Sequence, residues 1–294
     1  MEPQRITPAL LSELRAAAPL APEHLAAELA VISATLDHFP GVPQLACFDT
    51  SFHRTMPRVA TLLTIPRQLQ TDGVQRYGFH GLSCQYLLTA LEQLGDPTAQ
   101  SGRVILAHLG NGASITAVRD GRSVDTTMAL TPAAGLMMGT RTGDVDPGLL
   151  YFLSTRHCMS AAEIHKMANH ASGLLGISET SADMRDLLSV EVSDQRAAEA
   201  IALFCYQVRK WIGAFVAVLG GLDTLVFTGG IGENAPAIRA RICRELNCFG
   251  IDLDASANDV TAAVISTSHS RVTVRVIPTD EEQVIATEVN RLLS

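Results

Sequence analysis

The sequence contains no Cys-x-x-Cys pair. Its six cysteines, Cys47, Cys84, Cys158, Cys205, Cys243 and Cys248, stand singly, several of them inside apolar runs. That spacing excludes a paired-thiol framework and predicts reduced, mostly buried thiols in a cytoplasmic protein. Basic runs are absent as well. Lys+Arg 22 against Asp+Glu 30 gives a formal charge of −8 with both signs scattered, so no nucleic-acid partner is expected. An anionic substrate would have to be drawn in by a local cationic pocket against the overall field. The opening Met-Glu-Pro-Gln-Arg-Ile-Thr has no apolar core, so no signal peptide is expected. The longest apolar segment, around Trp211 to Leu225, is broken by Gly213, Gly220, Gly221 and Asp223. It reads as too short to span a bilayer, and no membrane partner is expected. Apolar residues are plentiful: 47% of 294 residues, with a mean hydropathy of +0.20, which allows two domains or one large one.

Gly135-Leu-Met-Met-Gly-Thr-Arg-Thr-Gly-Asp-Val-Asp-Pro-Gly148 is the most informative stretch. Four glycines and Pro147 keep it from being a regular helix or strand. A guanidinium fixed on such a loop, here Arg141, suits two-pronged recognition of a carboxylate or phosphate. Asp144 and Asp146 either hold that arginine or bind a metal beside it. The plain alternative is a surface turn with an ordinary ion pair.

Along the chain, Thr7-Pro8 starts a helix, and a second helix is expected from about Pro22 to Asp37, followed by a strand from Val42 to Phe48. Arg76 to Gly81 reads as a loop and Leu82 to Leu94 as a helix. Val104–Leu109, Ser114–Val118 and Ser123–Thr126 read as strands, with Asp120-Gly121 as a hairpin turn. The clearest helix runs from about Arg196 to Leu219, where Ile201, Phe204, Val208, Trp211, Ile212, Phe215 and Leu219 recur at three- and four-residue steps. A strand (Thr224–Phe227), a helix (Ala235–Leu246), a strand (Val272–Ile277) and a last helix (Glu281–Leu293) follow. From residue 104 the order is β-β-β-α-β-α-β-α, half of a duplicated α/β architecture with a nucleotide between two similar domains. The matching unit is absent before residue 104, so the N-terminal half is expected to be incomplete.

Several motifs carry chemistry. His108-Leu-Gly-Asn-Gly-Ala-Ser114 joins two strands by a glycine turn, where Gly110 and Gly112 free backbone N–H groups for an anion and Asn111 adds a polar contact. The alternative is a plain Asn-Gly hairpin. Phe227-Thr-Gly-Gly-Ile-Gly-Glu-Asn234 follows a strand and leads into a helix, a place that favours phosphate. It lacks the G-x-G-x-x-G spacing, so the dinucleotide label does not fit. Arg76-Tyr-Gly-Phe-His-Gly81 offers His80 as a hydrogen-bond donor to a transferring phosphoryl group, or as a structural histidine. Asp49 falls at the C-terminal end of a strand, as a site residue or a turn cap. Pro278-Thr-Asp-Glu-Glu282 opens the last helix with acids that cap it or supply a carboxylate to Mg2+.

In this order, these segments resemble the acetate kinase family, of the acetate and sugar kinase, heat-shock ATPase and actin superfamily. The resemblance covers essentially the whole chain and rests on Leu20-Ala-Pro-Glu-His24, Phe48-Asp-Thr-Ser-Phe-His53, Tyr77-Gly-Phe-His-Gly-Leu-Ser83, His108 to Ser114, Thr131 to Pro147, Ser172-Gly-Leu-Leu-Gly-Ile-Ser178, Phe227 to Asn234 and Pro278 to Glu282. It implies a duplicated actin-like ATPase (ribonuclease H-like) fold of two domains with the active site in the cleft. Residues 1–50, joined by the C-terminal helix 281–294, would be what remains of the first domain, and 51–280 the nucleotide-binding and dimerisation domain. It also implies reversible, direct in-line phosphoryl transfer between ATP and acetate, giving ADP and acetyl phosphate, with Mg2+ or Mn2+, in a cytoplasmic homodimer. By position, Arg141 and His80 match transition-state residues, Asp49 the essential aspartate, His24 a further histidine of the site and Glu281 (or Glu282) the metal ligand. His108, Gly110, Asn111 and Gly112 match the phosphate loop; Gly230, Gly232, Glu233 and Asn234 match the adenosine side.

The chain departs from the family pattern in places. The family's opening strand-and-hairpin segment and its His-Gly-Gly-Glu segment have no counterpart, and Leu25-Ala26, Cys84, Ala129 and Ala134 replace usual family residues. Two other readings stay open: a kinase of propionate or another short acid, and a catalytically silent nucleotide-binding remnant.

Overall fold

Before residue 103 the described residues contain only two short strands, β1 (Gln4–Arg5) and β2 (Leu45–Ala46), paired antiparallel. The computed structural model describes residues 2–18 and 25–294; His24 and the expected helix start at Pro22 lie outside them. The strand expected over 42–48 is reduced to β2 because Pro43 offers no N–H to a ladder and Gly41 turns the chain with φ 86°. Helix α1 (Pro8–Ala17) begins where Thr7 Oγ1 accepts the Leu10 N–H at 3.2 Å, and it buries Leu10 and Leu14. Helix α2 (Leu25–His38) packs against it.

The rest is built on a sheet of β3 (Arg103–Leu109), β4 (Ala113–Arg119), β5 (Arg122–Thr126), β6 (Thr224–Thr228) and β7 (Thr273–Val276), in the order β5-β4-β3-β6-β7. β3, β4 and β5 form antiparallel hairpins, whereas β3–β6 and β6–β7 are parallel. Asp120 and Gly121 both take positive φ, 51° and 71°, the geometry a two-residue hairpin needs and short Asp-Gly turns supply. Successive residues of β3 enter opposite layers. Ile105, Ala107 and Leu109 face a core shared with Phe204, Phe215 and Phe227, while Val104 and Leu106 face Leu87, Leu91 and Ile277. Both faces are covered, which is why the central strands read as continuous apolar runs.

Helix α3 (Gly81–Gln93) covers the second face. The helices α4 (Pro147–Arg156), α5 (Ala161–His170), α6 (Gly173–Ser178), α7 (Met184–Val190) and α8 (Gln195–Leu219) follow the arginine loop. Asp194 caps α8 by accepting the Arg196 N–H at 2.9 Å, and Gly220 ends it at φ 69°. Among the described residues α8 is the one helix long and apolar enough to cross a membrane. It instead buries one face, from Ala197 to Leu219, in the sheet core.

The helix expected over 235–246 is observed over 236–243, and a separate short helix that was not expected precedes it. α9 (Gly229–Asn234) starts directly at the end of β6, and α10 (Pro236–Cys243) follows it. Pro236 pushes Ala235 out of helical angles (φ −117°, ψ 78°) and then serves as the first residue of the new helix. The last helix, α11 (Glu281–Leu293), packs on α3, where Gln85 Nε2 donates to Glu288 Oε1 at 3.2 Å. Of the six thiols, Cys84, Cys205 and Cys243 are buried, whereas Cys158 and Cys248 are exposed. Fewer are buried than the sequence suggested.

Candidate active site

β3, β6 and β7 are parallel neighbours, so their C-terminal ends lie side by side, the usual place for a ligand in an α/β sheet. From those ends the chain continues into the 110–112 turn, into α9, and into the segment that leads to Glu281.

Asp49 reaches this edge from the first part of the chain. Its Oδ2 accepts the His80 N–H at 2.7 Å, its Oδ1 the Leu82 N–H at 3.3 Å and its carbonyl the Gly81 N–H at 2.8 Å. It is therefore the cap of α3, supplied from 31 residues before His80. His80 is held in the left-handed region, φ 57°, a conformation uncommon for a non-glycine residue and kept only where its surroundings fix it. His80 Nδ1 meets Ser114 Oγ at 2.9 Å, and its ring stacks on His108 with centroids 4.0 Å apart. His108 Nδ1 in turn meets Ser83 Oγ at 2.9 Å, and Ser83 accepts the Thr279 hydroxyl at 2.9 Å. Ser83 thus has its proton to give to His108, leaving the His108 proton on Nε2.

The arginine loop closes the other side. A methyl group added at Gly112 would lie 3.4 Å from His80 Nε2 and 3.7 Å from an Arg141 guanidinium nitrogen, so the phosphate-loop candidate, the histidine and the arginine converge there. Residues 138–142 are strapped to the next segment: Leu174 N–H donates to Met138 C=O at 2.8 Å and Thr142 N–H to Ala168 C=O at 2.9 Å. Asp144 accepts the Gly135 N–H at 2.9 Å, and Asp146 caps α4 through the Gly148 N–H at 2.6 Å; these are local backbone roles.

Burial, the Arg141 charge and then His53 push the His80 pKa down to about 4. Burial and His80 push His108 down to about 3, with Asp49 pulling the other way. Both imidazoles are therefore neutral near pH 7. Glu281 is raised, first by burial and then by the Asp49 charge. These two carboxylates feel each other, and a divalent cation between acids and phosphates would relieve that repulsion. Among the described residues no set of three or more His, Cys, Asp or Glu side chains forms a metal cage on its own.

On the far side of the 110–112 turn lies a cavity of about 510 Å3, lined by Gly110, Asn111, Gly230 and Asn234 together with Asp183 and Arg185 of the α7 start. Gly139 stands behind its wall: an added Cβ would collide with Asn111 Oδ1 and come within 3.2 Å of the Ala182 carbonyl. The sequence reading missed Ala182, Asp183, Met184, Arg185 and Leu188. The one local signal, an Asp-x-Arg at a helix start, reads equally as a cap, and Asp183 does cap α7. Gly232 and Glu233 are not on the cavity wall. A methyl group added at Gly232 would lie 3.4 Å from the Phe227 backbone, and Glu233 Oε1 accepts from Thr228 Oγ1, Gly229 N–H and Thr279 N–H at 3.1, 2.8 and 3.2 Å.

A family model, the acetokinase family, matches residues 1–287. The acetate kinase of Rhodopseudomonas palustris is 46% identical over 292 residues, 99% of this chain and 73% of that protein. The crystal structure of Porphyromonas gingivalis acetate kinase matches with TM-score 0.93 and 40% identity, over 100% of this chain and 75% of that one. A propionate kinase structure from Francisella tularensis also matches with TM-score 0.93 and 40% identity, over 98% and 74%. The mixed α/β sheet with its two helical layers is the fold of these kinases, consistent with the actin-like ATPase type. A family match over nearly the full length and a shared fold at this level of identity make the chain a member of the acetokinase family.

Proposed function

We propose that the chain catalyses reversible phosphoryl transfer between ATP and acetate, giving ADP and acetyl phosphate. The observation that carries this is the convergence of Arg141, neutral His80, Asp49 and Glu281 at the strand ends, beside a cavity of nucleoside size. A carboxylate substrate is already a nucleophile, so no strong base is needed. The work is alignment and neutralisation of charge on the equatorial oxygens. Arg141 supplies a permanent charge with two parallel donors. Ser114, by giving its proton to His80 Nδ1, would leave Nε2–H as a neutral donor aimed toward Gly112 and Arg141. Asp49 fixes the His80 backbone, and Gly110, Asn111 and Gly112 receive the phosphates.

The cavity along Gly110, Asn111, Gly230, Asn234, Asp183 and Arg185 takes the nucleoside, with Gly232 and Glu233 supporting its wall from behind. Glu281 is the carboxylate for Mg2+, being half-buried beside Asp49 while Glu282 is exposed. A Mg2+ held there by Glu281 would supply charge neutralisation of the phosphates. Residues 51–280 would act as the nucleotide domain, with 1–50 and the last helix as a smaller unit, in a cytoplasmic homodimer.

The test supplies acetate, ATP and Mg2+ and traps acetyl phosphate with hydroxylamine. Arg141→Ala is expected to lower the rate on the order of a thousandfold or more; product that survives it unchanged would overturn the reading. Propionate belongs in the same assay, because the Francisella tularensis propionate kinase structure matches with the same TM-score and identity as the Porphyromonas gingivalis acetate kinase.

A further inference from the structure

His53 is almost fully buried, 1% exposed, and the mechanism above does not use it. It lies on the short helical turn Ser51–Thr55, four residues after Asp49. Its Nε2 lies 2.9 Å from the Phe79 carbonyl oxygen, which has no proton to give, so Nε2–H is the donor. Burial lowers the pKa of the ring. In the neutral form its Nδ1, 3.0 Å from Ser123 Oγ on β5, accepts the serine proton. One imidazole therefore ties three elements together: the Asp49 segment, an outer strand, and the peptide immediately before His80.

The contact is close. Gly78 takes φ 77°, and a Cβ there would come within 2.5 Å of the His53 ring, so glycine is required both for its backbone angle and for its lack of a side chain. The same loop is held further back, where the Arg76 guanidinium donates to the carbonyls of Thr126, Thr127 and Met128. Asp49 grips the N–H of His80, and His53 grips the carbonyl just before it. These two contacts lie on opposite sides of the Phe79–His80 peptide, a pairing suited to holding one residue at φ 57° against its own preference.

We infer that His53 is a positioning residue for phosphoryl transfer: by holding the Phe79 carbonyl it keeps His80 in the left-handed conformation that aims its ring at Gly112 and Arg141. This rests on the reading of His80 proposed above. The role asks for a neutral donor at a fixed distance, so glutamine, with an amide N–H on a chain of similar reach, should partly replace His53, and leucine should not.

The experiment is a double-mutant cycle on the full chain, read as kcat and as KM for acetate and ATP. His53→Leu should lower kcat by roughly tenfold to a hundredfold, leave KM for ATP within about twofold, and be partly rescued by His53→Gln. On a His80→Ala background the same His53→Leu change should cost less than about twofold. An equal loss on both backgrounds would overturn the inference. A His80→Ala protein as active as the parent would instead sink the reading of His80 itself, and the two failures are told apart by that one variant. A crystal structure of His53→Leu gives a readout that needs no turnover. Departure of His80 from its contact with Ser114 supports the inference, and an unmoved His80 overturns it.

Discussion

At the scale of residues, the chemistry of the site is set by burial. An imidazole that titrates near 6.5 when unfolded but near 4 or 3 in the fold, as His80 and His108 do, binds its proton more readily in the unfolded chain. Stability therefore rises with pH across that window: it is full above about pH 6.5 and falls as the pH drops toward 4. Each imidazole contributes on the order of 2 kcal/mol of that loss by pH 5. Urea unfolding at pH 7 and pH 5 should show the decline, and a His80→Gln protein should show a shallower one; equal slopes would refute the assignment. Arg239 is buried as completely as any side chain here, 0% exposed. It donates to the carbonyls of Gly232, Glu233 and Asn258, to Asn258 Oδ1 and to Thr261 Oγ1. Arg239→Met strands those acceptors in the interior and should cost about 3 kcal/mol or more in chemical denaturation. Such roles were not legible in the sequence. Arg239 and His53 lie among polar and apolar neighbours with no repeat to mark them, and only the fold puts Asn258 or Phe79 beside them.

At the scale of elements, helix ends and turns were the most readable features. Thr7-Pro8, Asp120-Gly121 and the apolar period of α8 each encode their geometry within a few residues, and each appears as expected. Breaks that a single proline imposes on a strand or helix were read less well. β2 is shortened by Pro43, and the glycine run after β6 is itself a helix because Pro236 forces the break one residue before it. Asp194→Ala removes the cap of α8, which should lower stability by about 1 kcal/mol while leaving KM for ATP unchanged, because the cap lies away from the cavity. Gly139→Ala should do the reverse. Its new methyl group meets Asn111 and the Ala182 carbonyl, so ADP binding measured by calorimetry should weaken about tenfold, ~1.4 kcal/mol, with little change in unfolding midpoint. An unchanged dissociation constant would detach Asn111 from the nucleotide.

At the scale of the whole molecule, the order of motifs carried more information than any one of them. Each of the 108–114 turn, the 135–148 loop and the 227–234 run has an ordinary structural alternative; their sequence along one chain does not, and it led to the family that the comparisons support. The cavity wall from α7 stayed hidden because nothing in Asp183-Met-Arg185 distinguishes a ligand contact from a cap. α8 spends most of its apolar face inside the molecule, but Tyr206 and Val218 remain 61% and 47% exposed, and Tyr151 on α4 75% exposed. A dimer in solution is the expected use of such a surface, and light scattering that gives a monomer mass at every concentration would refute it. The packing of α11 on α3 has a further consequence for synthesis. The Gln85–Glu288 contact joins residues 203 positions apart, and Glu281 opens that same late helix. Asp49, His80, His108 and Arg141 leave the ribosome first, and the fifth member of the cluster, Glu281, follows only after β6 and β7. A nascent protein can pair β3, β4 and β5 early, but β7 and then Glu281 must emerge before the sheet and the site are complete.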